Sequence, residues 1–170
     1  IGACLAAISK MRGGGFETIV VDDGSNDGTA DFVAEHFPAV QLLRLEPGGL
    51  SVARNAGAAA ASGKILAFTD DDCEPDVEWV ARLRGAFVDG NFAAAGGPNL
   101  PPEATDWREA VVRAAPGAPS HVMLTDVEAE HLPGCNIAVT KEAFDEIGGF
   151  DPLFRTAGDD VDFCWRLRDA

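Results

Sequence analysis

A parallel, doubly wound α/β sheet is the fold expected of this chain, and three observations lead to it. Short apolar segments alternate with amphipathic or alanine-rich segments of about ten residues, the rhythm of strands and helices in α/β domains. The run Ile65-Leu66-Ala67-Phe68 contains no charge, which is the pattern of a strand buried on both faces. Two apolar runs break directly into acids, at Asp22-Asp23 and at Asp70-Asp71-Asp72. Open α/β sheets bind ligands at the carboxyl ends of their strands, where these acids fall.

Taken in order, residues 1–11 carry Ile1, Cys4, Leu5 and Ile8 at helical spacing and run into Gly13-Gly14-Gly15. Residues 16–21 form a β-branched strand. Phe32, Val33 and Phe37 mark a helix over 30–36 that Pro38 stops, and 40–45 reads as a second strand. After the turn Pro47-Gly48-Gly49, residues 51–61 form an alanine-rich, closely packed helix ended by Ser62-Gly63. The central strand follows Lys64. Trp79, Leu83 and Phe87 mark the next helix, and 92–95 a further strand. From 98 to 119 the pattern weakens into a surface excursion, with a helix expected around 106–115. A strand over 132–139 begins in a turn, and Thr140 caps a helix over 141–147 that ends at Gly148-Gly149. A last helix opens at Asp159-Asp160.

The 170 residues suffice for one domain with a sizeable core, taken here as two halves, 1–97 and 98–170. With 13 basic against 28 acidic residues the net charge is −15, which argues against nucleic acid and against a purely electrostatic hold on anionic lipid. No apolar run reaches the roughly 18 residues of a membrane span. The chain opens at Ile1 in what reads as mid-helix, and a fragment of a longer protein is expected. Cys4, Cys73, Cys135 and Cys164 show no paired spacing, so free buried thiols are expected, with only Cys73 near a site.

Three adjacent aspartates repel one another unless a cation shares them. Asp70 and Asp72 project to one side of an extended backbone and Asp71 to the other. Oxygen ligands at that spacing suit a hard divalent ion, Mn²⁺ or Mg²⁺, completed by water and substrate phosphates. The competing reading is a solvated loop whose acids cap the helix that follows.

Six motifs in order resemble the family 2 glycosyltransferases of GT-A fold. They are Val20-Val21-Asp22-Asp23-Gly24-Ser25-Asn26-Asp27-Gly28-Thr29, Ala53-Arg54-Asn55-Ala56-Gly57 and Phe68-Thr69-Asp70-Asp71-Asp72. Pro133-Gly134-Cys135-Asn136, Ile147-Gly148-Gly149-Phe150-Asp151 and Gly158-Asp159-Asp160-Val161-Asp162-Phe163-Cys164-Trp165-Arg166 complete the set. The resemblance implies a Rossmann-like mixed sheet whose opening strand lies before Ile1, leaving two sheet edges. It also implies an inverting transfer of a sugar from a nucleotide-diphosphate donor to an acceptor hydroxyl.

It further implies residue roles. Asp72, with Asp70, would hold the divalent metal. Asp23, Arg54, Asp70 and Asp71 would contact the donor, Asp23 at the base and Arg54 at a phosphate or sugar. A carboxylate suits the N3–H of uracil or thymine, so a UDP- or dTDP-type donor is favoured. Asp160 would be the general base that readies the acceptor hydroxyl. Gly134 and Asn136 would floor the pocket. Asp159 stands where the family has glutamate, one methylene longer. Trp165 is expected in the core and Asp162 toward solvent. The acceptor is expected to be a saccharide or lipid-linked sugar. The protein is expected to be cytoplasmic, or peripheral at the inner face of the plasma membrane, with any membrane contact made by parts outside these residues.

Other readings keep their place at this point. Asp23-x-Ser25-x-Asp27-Gly28 mimics the start of a calcium loop, but its twelfth position is Ala34 rather than glutamate. A dehalogenase-type phosphotransferase expects Thr or Val where Glu74 stands. A metal-dependent nucleotidyltransferase, and a catalytically silent module that binds nucleotide sugars, share the sheet and the acids.

Overall fold

The computed structural model describes residues 1–89, 92–100, 105–108, 111, 123–125 and 127–170. Along the chain run α1 (Gly2–Ile8), β1 (Ile19–Asp22), α2 (Thr29–His36), β2 (Gln41–Arg44), α3 (Leu50–Ala60), β3 (Ile65–Phe68) and α4 (Trp79–Asp89). Then come β4 (Ala94–Gly96), a 3₁₀ turn (Gly134–Asn136), β5 (Ile137–Thr140), α5 (Lys141–Glu146) and α6 (Asp159–Asp169). The excursion expected over 98–119, with its helix around 106–115, lies largely outside the described residues.

The strands form two sheets among the described residues. β1 and β2 pair in parallel, Val20 opposite Leu42. β3, β5 and β4 form an antiparallel sheet with β5 in the middle, Leu66 opposite Val139 and Ala95 opposite Ala138. Parallel and antiparallel pairing together agree with the mixed sheet that the resemblance implies, and correct the expectation, read from the apolar run alone, of β3 buried on both faces of a parallel sheet. Ala67 of β3 is exposed. The strand buried along most of its length is β5, whose Ile137, Ala138 and Val139 are sealed. Apolar runs report which residues leave water; they carry no information on which neighbour supplies the hydrogen bonds. β5 comes from the second half of the chain and pairs with strands of the first, so the halves interlock.

Helix α3 packs against β1 through its small residues. A Cβ on Gly57 would lie 3.2 Å from Val21 Cγ2. Its carboxyl end is closed twice over. Lys141 Nζ donates to the carbonyl of Ala58 at 3.1 Å, and Glu17 accepts from the Ser62 hydroxyl at 2.7 Å and the Ser62 and Gly63 amides. Thr140 Oγ1 accepts from Ala143 N at 3.3 Å and caps α5, as its position implies.

The core lies where β3 and β5 meet α5 and α6. Ala58, Leu66, Ile137, Val139, Phe144, Phe150, Phe163 and Cys164 form one buried cluster. Phe150 stacks on Phe163 at 4.3 Å and meets Phe68 edge-on at 5.3 Å, geometries that add to area burial. Asn55 fastens this ring to α3. Its Nδ2 donates to Phe150 O at 2.7 Å and its Oδ1 accepts from Phe150 N at 2.9 Å. Gly149, at φ +73°, leaves room for that clamp, since a Cβ there would sit 2.7 Å from Asn55 Oδ1.

Between β1 and β3 opens a cleft of about 1010 Å³, and both acidic strand ends line it. The site is built there.

Candidate active site

β3 ends at Phe68, and the chain then turns instead of running on. Cys73 N–H donates to Asp70 O at 3.2 Å, closing a tight turn over 70–73. The expected same-side placement of Asp70 and Asp72 assumed extended backbone, so the turn replaces that derivation. Asp70 is half-buried, whereas Asp71 and Asp72 are exposed at the cleft mouth.

Asp70 leans toward Arg54 of α3, whose Nη2 donates to Asp70 Oδ1 at 3.0 Å. On its other arm, Nη1 of the same guanidinium forms a short ion pair with Asp159 Oδ2. Phe150 lies beneath, its ring centre 5.3 Å from the Arg54 Cζ. Arg54, expected at a donor phosphate or sugar, is held in this structure between two carboxylates.

Asp159 and Asp160 open α6, and Gly158 at φ +85° is the N-cap. Both acids therefore sit in the first turn, where the helix dipole favours negative charge. Asp159 turns inward to Arg54. Asp160 Oδ2 accepts from Gly134 N at 3.0 Å, and its Oδ1 from Val161 N at 2.9 Å. Gly134 is thereby wedged between the two motifs: a Cβ on it would lie 2.6 Å from Arg54 Nη1. Asp162 pairs with Arg166 at 2.7 Å rather than standing free in solvent.

On the other side of the cleft, Asp22 is buried and accepts from Ser25 N at 3.0 Å. Asp23 accepts from Gly48 N and Gly49 N, both at 2.7 Å, and so pins the Pro47-Gly48-Gly49 turn against the end of β1. Gly24 fits beneath because a Cβ would meet Pro47 Cγ at 2.5 Å. Asp27 serves Thr29 at the start of α2, accepting from its amide at 3.0 Å and its hydroxyl at 2.6 Å. The Thr29 hydroxyl holds the Asp27 carboxyl below the usual range.

Asn136 is committed to the scaffold. Its Oδ1 accepts from Trp79 Nε1 at 2.8 Å and its Nδ2 donates to Pro98 O at 3.1 Å. Trp165, expected in the core, is 51% exposed. The amphipathic stripe of α6 turns Phe163 and Cys164 inward and leaves Trp165 outside.

Cys73 has company that sequence spacing gave no sign of. All four cysteines are free. Cys4 Sγ contacts the Asp70 carbonyl at 3.6 Å, and Cys73 Sγ reaches Asp72 Oδ1 at 3.8 Å with Cys135 nearby. Burial pushes the Cys135 thiol up to about 12, with the nearby Cys73 and Asp70 adding to it.

Among the described residues no trio of His, Cys, Asp or Glu is gathered as a ready metal cage. Half-buried Asp70 and exposed Asp72, both lining the cleft, nevertheless fit the other way a hard ion is held. Such ions take one or two carboxylates, and the phosphates of a substrate supply the rest.

A mixed α/β domain with acids converging on a cleft at its strand ends is the GT-A architecture. The chain belongs to glycosyl transferase family 2, whose family model matches residues 1–148. It is 31% identical over 172 aligned residues to the pre-mycofactocin glycosyltransferase of Mycobacterium tuberculosis, covering 96% of this chain and 36% of that one. In fold it is similar to the mannosyltransferase PcManGT from Pyrobaculum calidifontis, solved with GDP-Man and Mn²⁺. That match has TM-score 0.72 and 23% identity over 98% of this chain and 47% of the other. S. aureus TarS 1-349, solved with UDP, gives TM-score 0.71 and 19% identity over 98% and 50%. The chain thus spans about a third to a half of the length of these proteins.

Proposed function

We propose that the protein transfers a sugar from a nucleotide-diphosphate donor to an acceptor hydroxyl with inversion at the anomeric carbon. The observation that carries this reading is the guanidinium of Arg54, which draws the acid cluster after β3 and the acids opening α6 to one place. Asp70, Asp71 and Asp72 line the cleft, and Arg54 ties the acids opening α6 to them; the chemistry needs two such carboxylate centres, one for the leaving diphosphate and one for the proton of the attacking hydroxyl.

Asp160 is the general base. Two amides orient its carboxylate, and a carboxylate offers about four lone-pair positions, so acceptor capacity is left for a hydroxyl proton. As that proton moves to Asp160, the hydroxyl oxygen bonds to the anomeric carbon and the nucleoside diphosphate leaves from the opposite face. Asp72, with Asp70, and the donor's diphosphate would hold Mn²⁺ or Mg²⁺, which would neutralise charge on the leaving group. Asp71 borders the donor at the cleft mouth. Asp23 lines the cleft and keeps lone pairs for a base N–H, which favours uracil or thymine. The similar structures were solved with GDP-Man or UDP, which supports a nucleotide-sugar donor and leaves the choice of base to Asp23.

No described helix is long and apolar enough to cross a membrane. A cytoplasmic or peripheral location, and a saccharide or lipid-linked acceptor, are part of the same proposal. Thermal melting with UDP and GDP, each with and without Mn²⁺, tests the donor side. Stabilisation that needs Mn²⁺ and disappears in Asp72→Ala supports the reading; equal stabilisation in both proteins removes the metal bridge.

A further inference from the structure

The geometry points to Arg54 as a positioning residue that sets the spacing of the two acidic centres and makes no contact with the donor's phosphates. This rests on the transferase reading above and assigns one more residue to it. A guanidinium offers five N–H groups in a rigid plane. Here Nη2 is committed to Asp70 at 3.0 Å and Nη1 to Asp159. Phe150 covers one face at 5.3 Å, and the backbone of Gly134 closes against Nη1. The Arg54 side chain is 9% exposed and the Asp159 side chain 3%. A phosphate that took this guanidinium would strip Asp159 of its partner in a buried place, which costs more than the new contact returns.

What Arg54 does reach is the first residue of each acidic segment. Asp70 begins the turn that carries Asp71 and Asp72, and that turn is closed by the Cys73 amide at 3.2 Å. Asp159 immediately precedes Asp160, which the Gly134 amide holds at 3.0 Å. One planar side chain on α3 therefore fixes where the metal-side and proton-side carboxylates lie relative to each other. Lysine cannot do the same, because a single ammonium has no fork to span two carboxylates in a fixed plane.

The test uses the full-length protein with UDP-glucose, UDP-N-acetylglucosamine and GDP-mannose as donors, measuring turnover and KM, with melting curves as a control for folding. In Arg54→Lys, kcat falls about 100-fold while donor KM stays within about threefold, the signature of misplaced reacting groups. Asp159→Asn, which removes the partner on the far side, reproduces that split. The double variant loses no more than either single one, since all three remove the same bridge. A tenfold or greater rise in donor KM with kcat preserved would make Arg54 a phosphate contact and overturn the proposal. So would a lowered melting temperature with unchanged kcat, or losses that multiply in the double variant. If Arg54→Lys does not fold, Asp159→Asn decides alone, and wild-type kcat there overturns the proposal. Asp160→Asn separates the two levels. Wild-type turnover in that variant, or no turnover of any donor by the wild type, sinks the transferase reading and this proposal with it. A silent Asp160→Asn beside a fully active Arg54→Lys sinks the positioning role only.

Discussion

Arg54 and Asp159 lie 105 positions apart in sequence and meet as a buried ion pair beneath the cleft. Breaking such a pair from one side leaves a charge without a partner in a poorly hydrated place. Asp159→Leu is expected to cost about 3 kcal/mol, and Arg54→Met with Asp159→Leu together markedly less than the sum of the two singles. Urea denaturation of the four proteins measures this, and additive losses would show that the pair does not act as a unit.

Gly134→Ala tests the close approach of the 3₁₀ turn to Arg54. The added methyl would lie 2.6 Å from Arg54 Nη1 and 2.7 Å from Nη2, so the guanidinium or the 3₁₀ turn must shift. Overpacking of this kind costs about 1–3 kcal/mol. It also pulls the Gly134 amide from Asp160, so catalytic turnover should fall with stability. A variant as stable and as active as the wild type would show that the turn yields freely.

Asn55→Ala removes both hydrogen bonds to the Phe150 backbone and leaves that N–H and C=O without partners in the core. About 2 kcal/mol of stability should be lost, read from the midpoint of chemical denaturation at unchanged slope.

The family motifs were legible as residues, but several of their physical roles were not. Asn55, Gly149 and Phe150 stand in two separate motifs, and only the structure shows them as one clamp. Strands and helices were placed well because burial imprints its period on the sequence, as at Phe144 and Ile147 or at Ala30 and Val33. Pairing leaves no such imprint, so β3 was expected in a parallel sheet and lies antiparallel to β5. Asp70 and Asp72 were read as if the strand continued, whereas the hydrogen bond from Cys73 to Asp70 turns the backbone. The cysteines near Asp70 were hidden for a related reason: Cys4, Cys73 and Cys135 are brought together by tertiary packing, which no local spacing records.

Those thiols give a pH dependence with a definite sign. Burial is the leading cause that pushes Cys4 and Cys164 up to about 11 and Cys135 up to about 12, against 9.0 for an unperturbed thiol. The unfolded chain ionises these groups first, so the stability they carry is whole below about pH 9. It is lost as pH rises from there through the folded values. Melting temperatures measured from pH 8 to 11 should fall, and less steeply in Cys135→Ala. Parallel slopes in the two proteins would contradict the assignment.

The most direct measurement is transfer by the full-length protein carrying Asp160→Asn, with Mn²⁺ and a nucleotide sugar that the wild type uses. The amide keeps the shape of the side chain but cannot take up a proton at neutral pH. Turnover should fall by about three orders of magnitude, while nucleotide affinity in the presence of Mn²⁺ stays near that of the wild type. Turnover within a few-fold of the wild type would contradict the placement of the proton acceptor, and with it the pairing of two carboxylate centres through Arg54.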